Sequence, residues 1–265
     1  MEQNSVLTDL ITQLASGQLK IIDLTQVLSP SFPQIVLPPE MGQCWPFRIE
    51  EISRYDERGP GWYWNNFSCG EHTGTHFDAP VHWISGKDLP DNTVDTVPVE
   101  NFVAPAVVLD CSAQATADPD FLLTIDFVKD WESEHGRIQP GSWVLMRTDW
   151  SKRLDPVEYQ NFDEQGQHTP GPDAGVVQFL IAERQVIGFG TEAIGTDAGQ
   201  GFHLRPPNPC HYFMHGNNKY GLQCLKNLDL LPPTGAVIIC PPLKIENGSG
   251  SPLRVLALIS SNRNG

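Results

Sequence analysis

The sequence predicts a single-domain mixed α/β (α+β) fold over residues 1–265. Three observations predict it. Short apolar runs of strand length recur along the chain, only a few stretches carry helical periodicity, and no repeat, low-complexity tract or flexible linker divides them. The length and the 40% apolar content suffice for a substantial core, and 18% charged residues do not suggest disorder.

The elements follow in order. Residues 6–16 place Val6, Leu7, Leu10, Ile11 and Leu14 at helical spacing and end at Gly17, which predicts an amphipathic helix. Lys20 to Leu24 reads as a strand. Residues 29–48, with Pro38-Pro39 and several aromatics, read as a long ordered loop, a kind more often functional than incidental. Around Trp62 to Phe67 the pattern turns β-like. Ala106 to Asp110 and Trp143 to Arg147 are the continuous apolar runs of buried strands. Between them, Thr124 to Phe127 opens a helix through Trp131 to His135, closed by Gly136. Residues 173–184 predict a further helix with Val177, Leu180 and Ile181 on its core face, and Val186 to Gly190 follows as a strand. Val237 to Cys240 and Val255 to Ile259 supply two more.

Charge and cysteine usage exclude several function classes. A net charge of -15 and a pI near 4.8 repel phosphate backbones, so no nucleic-acid partner is expected. An acidic surface mainly favours solubility, and it does not define the substrate, because a local metal can attract an anion. The six cysteines are widely spaced without a Cys-x-x-Cys pair, so neither a zinc ribbon nor a redox motif is present. Met1-Glu2-Gln3-Asn4 is not a basic leader, and no apolar stretch approaches the ~20 residues needed to span a membrane. The expectation is a soluble cytoplasmic protein with reduced thiols and no membrane partner.

The chemistry concentrates in His72-Thr-Gly-Thr-His-Phe-Asp-Ala-Pro-Val-His82, which holds three of the chain's eight histidines beside Asp78. Imidazole nitrogens and a carboxylate oxygen suit Zn²⁺, Mn²⁺, Fe²⁺ or Ni²⁺. Gly74 permits a tight backbone path and Pro80 breaks any continuous helix. With His72, His76 and Asp78 as ligands, coordination positions stay open for water and substrate, as in catalytic rather than structural sites. His82, beyond Pro80, is assigned as general base; a fourth ligand or a support behind the ligands are the competing readings. His211, in Pro209-Cys210-His211, is the best distant candidate, to orient a substrate carbonyl or assist proton transfer, with a structural histidine in a Pro-rich turn as its alternative. His203 and His215 are weaker candidates, and His135 and His168 are expected to be solvated. Trp45, Phe47, Trp62, Trp64 and Trp83 flank the segment, and their clustering suggests aromatic walls for a flat, apolar substrate. An iron-dependent oxygenase would use a similar His-x-Asp triad, against which His72 counts.

The segment from His72 to His82 resembles the His-x-Gly-Thr-His-x-Asp-x-Pro-x-His motif of the metal-dependent cyclase-like hydrolases, a family that includes bacterial kynurenine formamidases and isatin hydrolases. Gly195-Thr196-Asp197-Ala198-Gly199, Asn227-Leu228-Asp229 and Gly250-Ser251-Pro252-Leu253-Arg254 also look like family landmarks. Trp64-Asn65, Gly70-Glu71, His82-Trp83 and Gly86-Lys87-Asp88 are most similar to the isatin hydrolase branch.

The resemblance implies a swivelling β/β/α fold, assembled as a homodimer or larger homo-oligomer. It implies hydrolysis of a small aromatic cyclic amide, isatin to isatinate, by metal-activated water. The alternative is N-formylkynurenine or a related cyclic imide or lactone. By motif position His72, His76 and Asp78 would hold the metal, His82 would be the base, and His211 a second active-site histidine. Gln223 stands where the two-metal formamidases of the family carry a glutamate. That implies one metal per subunit, Mn²⁺ with Zn²⁺ as alternative. A fold-retaining binding module without activity is disfavoured because all four motif residues are present.

Overall fold

The computed structural model describes residues 5–261, so the tetrapeptide Met1 to Asn4 lies outside the described residues. The centre is a nine-stranded sheet. Its strands run in the order Leu19–Asp23, Leu256–Ser260, Ala236–Ile239, Val103–Asp110, Trp143–Arg147, Gly188–Thr191, Tyr220–Gln223, His76–Asp78 and Gly250–Pro252. The four strands from Val103–Asp110 to Tyr220–Gln223 are mutually parallel, and those on either side pair antiparallel. Parallel neighbours need crossovers. Helices Ser112–Ala117 and Ile125–His135 lie in the first, Ala174–Arg184 in the second and Pro209–Gly216 in the third.

Burial on both faces explains why the central strands read as unbroken apolar runs. Val107, Leu109, Val144, Met146 and Phe189 pack with Val128, Trp131, Val177, Leu180 and Met214 of the helices. The alternate residues Ala106, Val108, Trp143 and Leu145 enter a second core with Phe77, Leu222, Ile238 and Ala257. These last residues come from strands near opposite ends of the sheet order, so the sheet curls around that core. Each large side chain buried there contributes about 1.5–3 kcal/mol.

Local signals place the helices. The Thr124 hydroxyl accepts from Phe127 N–H and the Asp173 carboxylate from Val176 N–H, capping the two long helices. Gly136, at φ +88°, ends the first. The helix Val6–Ala15 forms as expected, but none of its residues is buried. In Ala174–Arg184 Val176 joins Val177 and Leu180 in the core, while Ile181 is only partly buried. Three helices escaped the sequence reading: Ser112–Ala117, Pro156–Gln160 and Pro209–Gly216. The last corrects the alternative of a Pro-rich turn around His211, since Pro209 occupies the first helical position, where its missing N–H costs nothing. His168, expected to be solvated, is instead held between Asp120 (2.7 Å) and Asp163 (3.1 Å), and both partners raise its pKa.

Strands Arg48–Asp56 and Gly59–Ser68 form a hairpin that, among the described residues, pairs only with itself. Ile49, Trp62, Trp64 and Phe67 on it are each more than half exposed. Among the described residues, no helix is long and apolar enough to cross a membrane. All six cysteines are free.

Gly188 shows how tightly the sheet is packed. A β-carbon there would lie 2.3 Å from Cζ3 of the fully buried Trp143. Gly188→Ala is expected to destabilise the fold by about 1–3 kcal/mol through overpacking. Urea unfolding checks it: the midpoint should fall at unchanged m-value.

Candidate active site

The three-residue strand His76–Asp78 lies between Tyr220–Gln223 and Gly250–Pro252. Side chains alternate along a strand, so Phe77 points into the core while His76 and Asp78 share the other face. Both cross-strand partners of Asp78 are glycines, Gly221 and Gly250. A β-carbon at 221 would lie 2.7 Å from Asp78 Oδ2, and one at 250 would lie 2.5 Å from His72 Cε1. Gly74, at φ +65°, makes the turn that brings His72 back toward its own strand. The single-turn helix Pro80–His82 then returns His82, whose ring stacks on His72 with centroids 3.8 Å apart.

Asp78 is fully buried. Its Oδ1 lies 2.8 Å from His72 Nδ1 and 3.4 Å from His76 Nε2. Its Oδ2 accepts from Gln223 Nε2 at 2.5 Å and lies 3.9 Å from His211 Nε2. Burial alone would raise this carboxyl, but the imidazoles around it, His76 first and His72 after it, hold it well below the usual carboxylate range. Burial, reinforced by His72, pushes His82 the other way, well below the ordinary imidazole value. His82 is therefore neutral near pH 7.

His211 sits in the first turn of its helix. The Asp197 carboxylate accepts from Cys210 N–H (2.6 Å), from His211 N–H (3.1 Å) and from His211 Nδ1. Burial would lower His211, but Asp197 outweighs it and raises the pKa. One turn on, His215 donates Nδ1–H to Lys219 O at 3.1 Å, which leaves its buried Nε2 without a partner among the described residues. Burial and His211 push His215 down to about 4.

These atoms converge as metal ligands would. Ligand atoms of His72, Asp78 and His82 lie within 4.8 Å of one another, and so do those of Asp78, His211 and His215. His76 Nδ1 pairs with Gly74 O at 2.8 Å, so Nε2 is left as a bare lone pair facing the carboxylate. Lone pairs and a buried carboxylate meeting without enough donors call for a cation. The residues fit a divalent metal held by nitrogen and oxygen.

The fold thus gathers His72, His76, Asp78, His82 and His211 at one point. Of the aromatics expected as walls, Trp83 reaches it, with ring centroids 5.0 Å from His211 and 6.2 Å from His82. Phe47 stacks on Phe67, 5.9 Å away, and Trp62 and Trp64 ride on the self-paired hairpin. Among the described residues no ring contact joins Phe47, Trp62 or Trp64 to the imidazoles. A groove of about 480 Å³ adjoins the site, lined by Leu28, Trp45, Phe67, Leu243 and Leu253 with Glu71 as its acid. No imidazole lines it.

Asp197 and Ser249 were given no role by sequence reasoning, and the buried His215 only that of a weaker candidate. Asp197 carried a signal, as the acid within Gly195 to Gly199; Ser249 carried none.

A model of the Cyclase family matches residues 22–198. Isatin hydrolase of Roseibium aggregatum is 49% identical over 98% of this chain and 99% of its own length. Isatin hydrolase A from Labrenzia aggregata, solved with benzyl benzoate, superposes with a TM-score of 0.96 at 61% identity, covering 97% of this chain and 100% of that one. An isatin hydrolase bound to the product analogue thioisatinate superposes at 0.95 with 48% identity, covering 98% of this chain and 100% of that one. On the family match and on near-complete coverage by these relatives, the chain belongs to the cyclase family of metal-dependent hydrolases.

Proposed function

We propose that this chain hydrolyses the lactam ring of isatin to isatinate, with one divalent ion per chain held by His72, His76 and Asp78. The observation that carries the reading is the likeness, over nearly the whole chain, to an isatin hydrolase solved with thioisatinate. The nitrogen and oxygen donors suit Mn²⁺, with Zn²⁺ as the alternative. When bound, such an ion makes water more acidic and polarises a carbonyl.

The chain's own residues supply the rest. Asp78 stays ionised and anchors the ligand set. His82, neutral and close to Asp78 and His72, accepts the proton of the attacking water. The same imidazole returns it to the ring nitrogen as the C–N bond breaks. His211, raised by Asp197, can offer Nε2–H to the substrate carbonyl oxygen. Trp83 supplies a flat apolar wall beside both imidazoles. Phe47, Trp62 and Trp64 are the remaining proposed substrate contacts.

Gln223 disfavours the formamidase reading. Its amide already donates to Asp78 Oδ2, the oxygen a second ion would need. The exposed aromatic hairpin and the uncovered helix Val6–Ala15 support a homodimer or larger homo-oligomer. The six free thiols fit a reducing cytoplasm. The nine-stranded sheet, drawing strands from residues 19–260, supports one domain over 1–265.

Metal-stripped protein should be inactive, and Mn²⁺ should restore turnover at one ion per chain by elemental analysis. On a panel of isatin, N-formylkynurenine and simple lactones, isatin should lead by at least roughly tenfold in kcat/KM, about 1.4 kcal/mol. A preference for N-formylkynurenine would refute the assignment. His82→Ala should lose roughly 10²–10⁴-fold in kcat with metal content retained; unchanged turnover removes His82 from the role of base. Sedimentation should report a mass of at least two chains.

A further inference from the structure

We propose that Glu71 and Ser249 are positioning residues that lock the tautomer of His72, so that it presents Nδ1 to the metal while His76 presents Nε2. The proposal rests on the reading of His72 and His76 as ligands.

Glu71 Oε2 accepts the Ser249 backbone N–H at 3.1 Å and lies 2.5 Å from Ser249 Oγ. Ser249 Oγ lies 2.9 Å from His72 Nε2. A hydroxyl has one hydrogen, and the Glu71 carboxylate is an acceptor. The Ser249 hydrogen goes to Glu71, so its oxygen accepts Nε2–H from His72. The remaining nitrogen, Nδ1, is then a bare lone pair 2.8 Å from Asp78 Oδ1. Two acceptors at that distance repel unless a cation is shared between them. His76 is locked the opposite way, with Nδ1–H donated to Gly74 O. The two histidines therefore reach one ion through different ring nitrogens, each oriented by the group behind it.

The surrounding backbone is shaped for this relay. Ala79 N–H donates to Ser249 O at 2.9 Å, which pins Ser249 beside the ligand strand. A β-carbon at Gly248 would meet Val94 at 2.8 Å and Glu71 Oε1 at 3.1 Å. One at Gly250 would meet the His72 ring at 2.5 Å. Gly248-Ser249-Gly250 thus leaves space for the Glu71 and His72 side chains on either side of the one hydroxyl that joins them. Nothing else in the described residues hydrogen-bonds His72 Nε2.

The test uses the full chain, ¹⁵N-labelled at histidine and loaded with Zn²⁺. Long-range ¹H–¹⁵N spectra distinguish a protonated ring nitrogen from a metal-bound one. His72 should show Nε2 protonated and Nδ1 metal-bound, and His76 the reverse. His72 bound through Nε2 overturns the proposal alone. A His72 with no metal-bound nitrogen overturns the ligand reading and the proposal with it. In a second measurement, Ser249→Ala should weaken Zn²⁺ affinity roughly tenfold to a hundredfold by chelator competition, with the melting point of the metal-free protein unchanged. Ser249→Thr, which keeps the hydroxyl, should restore most of that loss. Wild-type affinity in Ser249→Ala overturns the proposal. The wild-type spectra need no variant to fold.

Discussion

A fully buried carboxylate, Asp78, is the constraint around which the rest of this protein is arranged. A charge taken out of water must be met by partners, and removing one partner of such a group is far costlier than forming it is favourable. The protein meets it with donors and ring nitrogens from three separate segments: His72 and His76 beside it, Gln223 across one strand pair, and His211 from a helix. Space for them comes from glycines. Because both register partners of Asp78 lack a side chain, neighbouring strands can close on the carboxylate and on the His72 ring without a clash. The sheet and the site are therefore one construction. Strand pairing sets the spacing of the polar atoms, and the polar atoms dictate which residues the strands can carry.

The electrostatics divide the imidazoles into two kinds. His82 is pushed down by burial and by His72, whereas His211 is raised by Asp197 despite its burial. Groups of one residue type whose environments drive them apart are suited to opposite proton roles. His82 is thus disposed to accept a proton and His211 to hold one. Asp197 does this while also accepting two backbone N–H groups at the helix start, so the orientation of His211 and its proton affinity have one cause.

Sequence made legible whatever is decided locally. The runs at 106–109 and 143–146 are buried on both faces, so every residue in them is apolar. His76 and Asp78 lie two apart on a strand, and their common face follows from that period. The helix Val6–Ala15 was equally plain, but its lack of cover was not, since an apolar stripe does not say what it packs on. Trp62 and Trp64 were grouped with the motif because they precede it closely. The hairpin turn near residues 56–59 instead carries them away on strands that pair only with each other. Ser249 acts across a long sequence separation, at a contact created by strand pairing, and Asp197 acts at the start of a helix that sequence did not reveal. Ser249 in particular looks like any loop serine until residues 72, 78 and 250 are seen side by side.

Gln223 is the side chain on which the proposed one-ion stoichiometry rests. Its Oε1 accepts Gly195 N–H at 2.7 Å, and that bond fixes which end of the amide faces inward. The inward end is therefore the NH₂, donating to Asp78 Oδ2 and standing 3.5 Å from His211 Nε2. A glutamate in this place would face Gly195 equally well, but its second oxygen would confront the Asp78 carboxylate, charge against charge. An added cation, shared by the two carboxylates and His211, or a proton held between them would relieve that repulsion. The amide supplies the missing donor itself. It satisfies Asp78 Oδ2 with a hydrogen, which leaves Oδ1, facing His72 and His76, as the oxygen open to a metal. The proposed single ion therefore rests on the direction of an amide, and that direction is set by one backbone N–H on the neighbouring loop.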